Sequence, residues 1–380
     1  MKKKITVVIP ALNEGKVVKY AVERVFEAYK KYSLDWECLI MDSSTDGGIT
    51  KKTAEQYGAR VISIPKQGLG KAYIDSLEHI QWNYVIMWDA DGTYDFMEMD
   101  RLIDKLDKGY DFVMGTRLKW NIHPWAMPWK NRYIWTPILT FFINLFFNAK
   151  ISDCNSGLRA ITLDAFKKIK LESRWREYAS EMIVKAKLTH LKMCEVPISL
   201  LADREGRMPH LPAYAAWRAN LKYIILLASE FVFIKIGFII SLFWLFILLS
   251  QLFGTITIGV FTFGTFYLFL WVLFCNIWFS ILQMGVLTQN FSYLNQFRTT
   301  HISKRIEKKF TFEKGIILWV SLFSIWFLID LTIFIAWRKT GQINIESFRI
   351  WLYALFFIIT SIQIIYFSFI YYLFNKYKNH

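Results

Sequence analysis

Four long apolar runs follow one another between residues 231 and 375, and they limit the possible folds more than any other feature of the sequence. Each run exceeds the ~18–20 apolar residues that a helix needs to cross the hydrocarbon core of a membrane. Only Lys235 and Asp330 interrupt the runs with a charge. Buried helices of a large soluble domain are the alternative, but four such runs in succession favour membrane helices. We therefore predict spans near residues 231–254, 262–287, 315–337 and 350–375.

Basic residues around these runs predict which side of the membrane each loop faces. The loop at residues 288–314 contains Arg298, Lys304, Arg305, Lys308, Lys309 and Lys314, whereas the turn between the first two spans contains no basic residue. Basic loops stay in the cytoplasm. Because the number of spans is even, the N-terminal domain and the C-terminus should lie there too. We predict a multi-pass integral membrane protein with a cytoplasmic domain at residues 1–228 and a transmembrane domain at residues 229–380.

The net charge of +15 at pH 7 raises the question of a nucleic-acid partner. The basic residues are spread along the chain and are concentrated near the apolar runs. Attraction to an anionic lipid leaflet explains this distribution more simply. We therefore predict the membrane, and no nucleic acid, as a partner. Self-association through the spans remains an open possibility.

The first 228 residues alternate short β-branched runs with segments of helical periodicity. The predicted strands are Ile5–Ile9, Glu37–Met41, Arg60–Ile64, Tyr84–Trp88 and Asp111–Gly115. Such alternation predicts an α/β domain, with a largely parallel sheet between two layers of helices. Ligands of these sheets bind at the carboxyl ends of the strands. The sequence contains neither G-x-G-x-x-G nor G-x-x-x-x-G-K-[ST], so nothing in it supports a dinucleotide site or a P-loop.

Three carboxylates follow the fourth predicted strand in the stretch NYVIMWDADGTYDFME, residues 83–98. Neighbouring carboxylates repel each other unless a cation lies between them. Asp89 and Asp91 are spaced to flank one Mg²⁺ or Mn²⁺ ion, which commonly bridges carboxylates to a phosphate. A solvated turn with helix-capping aspartates is the alternative reading of this stretch. Asp95 fits that alternative better, because it precedes a predicted helix at Phe96–Leu106, where an N-cap aspartate is expected.

Several further stretches follow the other predicted strands, namely PALNE, DSSTDGG, GLGKA and MGTR, and the block MPWKNRYIWTPILTFFINLFFNAKISDCNSGLRA covers residues 127–160. Together with WDADGTY they resemble the inverting glycosyltransferases of family 2, which have a glycosyltransferase-A (Rossmann-like, nucleotide-diphospho-sugar transferase) fold. The long block is most similar to the dolichol-phosphate mannosyltransferase and polyprenyl-phosphate glycosyltransferase branch. The resemblance covers roughly residues 4–228. It implies transfer of a sugar from a UDP- or GDP-linked donor to a polyprenyl (dolichyl or undecaprenyl) phosphate, with a divalent metal.

The resemblance also implies roles for individual residues. The implied nucleotide-binding residues are Pro10, Asn13, Glu14, Asp42, Gly70, Asp89, Ala90 and Asp91. The implied catalytic residues are Asp89, Asp91, Arg117, Arg132 and Asp153, and of these Asp89 and Asp91 would hold the metal. The residues that would face the phosphate of the acceptor are Arg117, Arg132, Thr136 and Arg207. Glu181 and Arg159 match positions near the same cleft. The sequence departs from the family pattern at Met41-Asp42, where two aspartates are usual.

Two apolar stretches outside the spans suggest contact with the membrane surface. Residues 133–149 are apolar nearly all round, but the stretch is short and contains Pro137. An interfacial helix fits it better than a span does, although an ordinary buried helix remains an alternative. Residues 211–230 form a second such stretch, in which Trp217, Arg218 and Lys222 would lie at the level of the lipid headgroups.

Two other functions remain open from the sequence. A processive polysaccharide synthase of the same family would normally need a Q-x-x-R-W-like motif before its membrane channel, and Trp217-Arg218 lacks the remaining residues of that motif. A non-catalytic transport subunit with a nucleotide-binding domain would have no need for Asp89, Asp91, Arg117 and Arg132. The identity of the sugar and of the nucleotide is not fixed by these patterns.

Overall fold

The computed structural model of the chain describes residues 4–32, 35–90, 92–202, 213–250, 256–258, 261–294, 311–342 and 344–376. Asp91 and Arg207, two of the predicted site residues, lie outside the described residues. Contacts between residues divide the chain into two units, Met1–Ile224 and Ile225–His380.

The first unit contains a seven-stranded sheet with the strand order β3-β2-β1-β4-β6-β5-β7. Its strands are β1 (Lys4–Ala11), β2 (Asp35–Asp42), β3 (Arg60–Ser63), β4 (Tyr84–Met87), β5 (Phe112–Thr116), β6 (Arg159–Thr162) and β7 (Met193–Pro197). Its helices are α1 (Val18–Tyr32), α2 (Ile49–Gln56), α3 (Leu69–Ser76), α4 (Asp100–Asp107), α5 (Thr136–Phe147), α6 (Leu163–Ile169), α7 (Tyr178–Leu188) and the start of α8 (Ala213–Leu227). All five predicted strands are confirmed, and the prediction missed β6 and β7.

The sheet is largely parallel, as predicted, but β6 runs antiparallel to both of its neighbours. In the parallel part, Ala11 of β1 lies beside Asp42 of β2 and Val8 lies beside Met87 of β4, so the loops after these strands leave from one edge. Arg159, the first residue of β6, pairs with both Met87 and Met114. The reversed direction of β6 therefore brings the segment before it to the same edge as the carboxyl ends of β4 and β5.

The core of the first unit forms because the central strands are buried on both faces, which continuous apolar runs such as Val7–Ile9 allow. Trp88, directly after β4, is fully buried and packs on Phe96 with a ring-centroid distance of 4.5 Å. Asp95 accepts a hydrogen bond from the Met97 amide and caps the 3₁₀ turn Phe96–Glu98. The predicted capping role of Asp95 is thus confirmed.

The second unit is helical, with α9 (Gly237–Ser250), α10 (Thr265–Leu294), α11 (Phe312–Thr340) and α12 (Ile345–Lys376). Four helical segments are long and apolar enough to cross a membrane, as predicted: Phe231–Ser250, Tyr267–Thr288, Phe312–Thr340 and Glu346–Leu373. Between the first two, Ile256–Ile258 and Phe261–Phe263 pair as a short antiparallel hairpin. Within this unit, Trp326 of α11 stacks on Phe357 of α12 at 4.4 Å.

Candidate active site

The loops after β1 and β2 are tied together at the shared edge of the sheet. The Asn13 amide donates to Ser44 Oγ at 2.7 Å, and the Thr45 amide donates to Asn13 Oδ1 at 2.8 Å. Asp42 is buried and accepts from the Ser44 amide at 3.0 Å. Asn13 has a left-handed backbone with φ 58, which asparagine tolerates better than most residues. These contacts fix the position of a loop pair that borders a cavity.

Asp89 lies directly after β4 and faces the segment that precedes β6. A Cβ atom added to Gly157 would overlap Asp89 Oδ2, so only glycine leaves room for this carboxylate. The Gly157 amide donates to Tyr94 Oη at 2.8 Å. Burial raises the pKa of Tyr94 to about 12, against the opposing effect of the Arg117 guanidinium, so its hydroxyl stays protonated at neutral pH. Ser156 Oγ is buried beside them and has no hydrogen-bond partner among the described residues.

Arg117 follows β5 and forms a buried ion pair with Asp153. Its Nε donates to Asp153 Oδ2 at 2.7 Å, and its Nη2 donates to Oδ1 at 2.8 Å. The Arg117 amide donates to the same carboxylate at 3.1 Å. Burial alone would raise the pKa of Asp153, but the guanidinium and these hydrogen bonds hold it below its ordinary value of 3.8. Arg117 Nη1 points to Tyr94 Oη at 3.5 Å, so one edge of the guanidinium remains on the cavity side.

Glu195 of β7 holds the backbone that carries Asp153. It accepts from the Ser152 amide at 2.7 Å, from Ser152 Oγ at 2.7 Å and from the Asp153 amide at 3.1 Å. Charge-assisted hydrogen bonds of this kind are roughly twice as strong as neutral ones. The chain from Glu195 through Asp153 therefore determines where Arg117 lies.

A cavity of about 810 Å³ opens at this edge of the sheet. One part of its lining, which we call the polar wall, consists of Glu14, Ser43, Asp89, Thr93, Arg117 and Ser156. Another part, which we call the apolar wall, consists of Ala126, Met127, Trp135, Leu139, Ala216 and Trp217. A volume of this size is within the usual range for small-molecule sites.

An aromatic cluster supports the apolar wall. Trp135 packs on Trp217 with a ring-centroid distance of 4.7 Å, and both rings lie 6.0 Å from Tyr214. Trp135 ends a π-helical turn, Asn131–Trp135, that leads into α5. Helix α5 buries Leu139, Thr140 and Ile143 but exposes Ile138, Phe141 and Leu145. The helix thus has a second apolar face that the described part of the first unit does not cover.

The structure brings some of the predicted site residues to the cavity and leaves others away from it. Those that line the cavity are Pro10, Glu14, Asp89, Ala90, Arg117 and Thr136. Asn13 and Asp42 are not among the lining residues. Asn13 connects the two loops, and Asp42 bonds to Ser44 within the second loop. Gly70 is not among the lining residues, and a Cβ atom there would overlap the Ser173 carbonyl oxygen, so its nucleotide contact stays a prediction. Arg132 is half-buried, with its guanidinium 5.4 Å from the Tyr133 ring centroid, and does not line the cavity.

Two buried residues near the cleft, Asp153 and Arg159, form hydrogen bonds with backbone groups of neighbouring segments. Asp153 is fully buried behind Arg117. Arg159 is also fully buried and donates to the carbonyl oxygens of Ser156, Cys154 and Ala179 at 2.8–2.9 Å. Sequence reasoning missed Tyr94 and the 172–179 segment, which supplies Trp175, Arg176 and Tyr178 to the cavity lining. The aromatic and basic character of WREY was the available signal for this segment.

A divalent cation fits the chemistry of Asp89, although the described residues contain no group of three or more carboxylate, histidine or cysteine ligands. Mg²⁺ and Mn²⁺ sites that bridge to a diphosphate need only one or two protein carboxylates. Asp89 lines the cavity, and its Oδ2 packs closely on Gly157. Of the two predicted metal ligands, Asp89 and Asp91, the structure describes Asp89 and places it at the cavity.

Two family models match the sequence in succession. The model of Glycosyl transferase family 2 matches residues 6–170, and that of the Glycosyltransferase family 2 C-terminal transmembrane region matches residues 286–375. The mixed sheet of the first unit and the four membrane-length helices of the second agree with these two assignments. The fold is thus a glycosyltransferase-A-like α/β domain followed by a helical membrane region.

Curated relatives and solved structures are similar to part of the chain. The low-salt glycan biosynthesis hexosyltransferase Agl6 of Haloferax volcanii is 35% identical over 238 residues, 62% of this chain and 57% of its own length. Glycosyltransferase AglJ of the same organism is 30% identical over 203 residues, 53% of this chain and 64% of its own length. Among solved structures, glucosyl-3-phosphoglycerate synthase from Mycobacterium tuberculosis has a TM-score of 0.48 at 19% identity, covering 60% of this chain and 80% of that chain.

The uncharacterized protein MJ1222 of Methanocaldococcus jannaschii is matched over most of its length. It is 32% identical over 208 residues, which are 53% of this chain and 82% of that protein. The matched segments of Agl6 and AglJ, by contrast, span less than two thirds of those proteins. Both family models match in chain order, and MJ1222 is similar over most of its length. The chain therefore belongs to glycosyltransferase family 2, as a membrane-associated member with the C-terminal transmembrane region of that family.

Proposed function

We propose that this protein transfers a sugar from a nucleotide-diphospho-sugar to a polyprenyl phosphate, with inversion at the anomeric carbon. The observation that carries the proposal is a single cavity with two kinds of lining. Its polar wall suits a charged diphosphate and a phosphate, and its apolar wall suits a hydrocarbon chain. The polyprenyl phosphate acceptor is implied by the resemblance to one branch of family 2. Membership of the family alone does not imply it.

The donor nucleotide would bind along the loops after β1, β2 and β4. Pro10, Glu14, Ser43, Asp89 and Ala90 line this part of the cavity. Asn13 would act by holding the two loops together, and Asp42 by fixing Ser44 in the second loop. Asp89, together with Asp91, would hold Mg²⁺ or Mn²⁺, which when bound offsets the charge that develops on the leaving diphosphate.

The acceptor phosphate would attack the anomeric carbon directly. An anionic phosphate oxygen forms the new bond to carbon as the bond to the donor diphosphate breaks, and the nucleoside diphosphate leaves with the electron pair. No general base is needed, because the attacking oxygen carries no proton to remove. Arg117 Nη1, which donates to Tyr94 Oη over 3.5 Å on the cavity side, would donate to the phosphate as well, while Asp153 holds Nε and Nη2. Asp153 does not line the cavity and is therefore proposed as a positioning residue.

The remaining acceptor residues would act on the lipid side of the site. Thr136 lines the cavity and accepts a hydrogen bond from Asn155 Nδ2 at 3.3 Å. Arg132 sits one helical turn before it, on the Tyr133 ring, and would have to turn toward a bound phosphate to contact it. Arg207 remains a predicted acceptor contact.

The exposed face of α5 supports a lipid acceptor. Ile138 is 36% exposed, Phe141 60% and Leu145 47%. Large apolar side chains on one face of a helix suit the boundary between headgroups and acyl chains. An interfacial position for α5, on the cytoplasmic side that the basic loops predict, would bring the lipid to the apolar wall of the cavity.

A transfer assay tests the proposal. The purified full chain in lipid nanodiscs receives radiolabelled UDP- and GDP-hexoses, an undecaprenyl phosphate acceptor and Mg²⁺ or Mn²⁺. A hexose is the natural first choice, since Agl6 is named a hexosyltransferase. We expect label in the organic phase, equimolar nucleoside diphosphate, and loss of both in EDTA. Label in a polymer would favour a polysaccharide synthase, and absence of any donor-dependent nucleoside diphosphate would favour a non-catalytic subunit.

A further inference from the structure

The segment at residues 172–176 forms a wall of the cavity that the proposed function leaves without a role. It lies between helix α3 and helix α7 and contributes Trp175 and Arg176 to the cavity lining. Trp175 is 56% exposed, although a side chain of this size is usually well buried. An indole held open to the cavity offers a flat apolar surface to a ligand.

A buried carboxylate fixes the backbone of this segment from one side. Glu181 of α7 is fully buried and accepts from the Glu172 amide at 3.0 Å and from the Ser173 amide at 2.8 Å. Lys185 Nζ compensates its charge at 2.6 Å. These bonds hold the start of the segment in one conformation.

The glycine-rich turn before α3 fixes the segment from the other side. The Lys71 amide donates to the Arg174 carbonyl oxygen at 3.0 Å. A Cβ atom at Gly68 would overlap that oxygen, and one at Gly70 would overlap the Ser173 oxygen. The two glycines are therefore needed for this close approach, which determines where Trp175 and Arg176 lie.

The segment reaches the part of the cavity that contains Asp89. Tyr178, two residues after Arg176, lines the same cavity as Asp89. We propose that Trp175 and Arg176 form the subsite for the sugar ring of the donor. The indole would stack on the C–H face of the ring, and the guanidinium would donate hydrogen bonds to its hydroxyl oxygens.

This subsite rests on the proposed function, because it requires a nucleotide-sugar donor. It would determine which sugar is accepted, since the orientation of the hydroxyls decides which of them meet Arg176. Glu181 and the two glycines fix the segment before the donor binds, so binding costs little conformational entropy. The alternative role for Trp175 is to stack on the nucleobase of the donor, since exposed aromatic rings also bind bases in this way.

Donor affinities of the full chain test the subsite without an acceptor. Isothermal titration compares a nucleoside diphosphate with the nucleotide hexose that binds the wild type best. The variants are Trp175→Ala, Trp175→Phe and Arg176→Gln. Matched controls are Arg174→Gln in the same segment and Trp120→Ala, a 51% exposed tryptophan, neither of which is among the residues lining the cavity.

We expect Trp175→Ala and Arg176→Gln to weaken nucleotide-hexose binding by about 5–10-fold and to leave nucleoside diphosphate binding within about twofold. Trp175→Phe should keep part of the affinity, and both controls should match the wild type. Equal losses for the two ligands would overturn the subsite in favour of base stacking, and unchanged affinities would overturn it outright. If the wild type binds no nucleotide sugar, the proposed function falls as well. If it binds one but makes no lipid product, only the acceptor of the proposed function fails.

Discussion

The two walls of the cavity are held in place by different forces. At the polar wall, hydrogen bonds of 2.7 and 2.8 Å between Arg117 and Asp153 fix a charged group in one direction. At the apolar wall, Trp135 and Trp217 are held by ring packing at 4.7 Å, which is much less directional. We infer that the polar wall determines whether transfer occurs, and that the apolar wall determines which acceptor is used. Substitutions in the two walls should therefore have different kinds of effect.

The largest effect is expected for Asp89→Asn in the polar wall. Loss of this carboxylate removes charge balance at the leaving diphosphate, which should lower kcat on the order of 10²–10³-fold. Asp95→Asn is the matched control, because asparagine caps a helical turn as well as aspartate does. Both variants should be folded and recovered in the membrane fraction. Wild-type turnover by Asp89→Asn in the lipid transfer assay would remove the role of the polar wall in the chemistry.

A large effect, on stability rather than on turnover, is expected for Asp153→Asn. This change leaves the Arg117 guanidinium without its buried partner, and breaking such a pair typically costs about 3–5 kcal/mol. Asp104→Asn, at an ion pair with Lys108 in which both side chains are more than half exposed, should cost at most about 1 kcal/mol. Thermal melts of the two purified variants and the wild type measure both losses of stability. Equal melting temperatures for the two variants would mean that the pair does not stabilise the polar wall.

A smaller and more selective effect is expected on the lipid side. Phe141→Glu places a charge on the exposed face of α5, where burial of a phenylalanine contributes up to about 1.5–3 kcal/mol. In nanodiscs this should raise KM for undecaprenyl phosphate and leave donor affinity unchanged, and Phe141→Leu should behave like the wild type. A fall in donor affinity, or no change in KM, would argue against a membrane role for this face.

The smallest effect is expected from pH. The pKa of Asp153 is lowered by folding, so its ion pair contributes full stability above the unfolded-state value near 3.8 and loses it as pH falls through the lower folded-state value. The difference in melting temperature between the wild type and Asp153→Asn should be constant from about pH 5 to 8 and should shrink below about pH 4. Shrinkage already between pH 5 and 7 would contradict a lowered pKa.

The polar wall was more predictable from the sequence than the apolar wall. Asp89 and Arg117 follow apolar strands, and the carboxyl ends of neighbouring strands meet at one edge, so their proximity follows from the order of the elements. The sequence prediction missed β6, a four-residue strand that starts with an arginine, Arg159. That arginine is buried because three backbone carbonyls accept its hydrogen bonds, which no sequence pattern reveals.

The direction in which a side chain points is harder to predict than the secondary-structure element to which its residue belongs. The family resemblance implies that Arg132 faces the acceptor phosphate, and this residue lies in a π-helical turn at Asn131–Trp135. Such a turn changes the angle between successive side chains relative to an α-helix. Trp135 lines the cavity, while Arg132 lies against Tyr133. The aromatic composition of this stretch predicted an apolar surface, and the geometry decides which rings form it.

A comparison of acceptors tests most directly the claim that one cavity joins a sugar donor to a lipid phosphate. The wild-type chain would be assayed with one donor and three acceptors: undecaprenyl phosphate, undecaprenol, and a short water-soluble isoprenyl phosphate. The phosphate supplies the nucleophile and the long chain fills the apolar wall, so we expect rapid transfer to undecaprenyl phosphate, a higher KM for the short phosphate and no product from the alcohol. Equal transfer to all three acceptors, or transfer to the alcohol alone, would contradict the account.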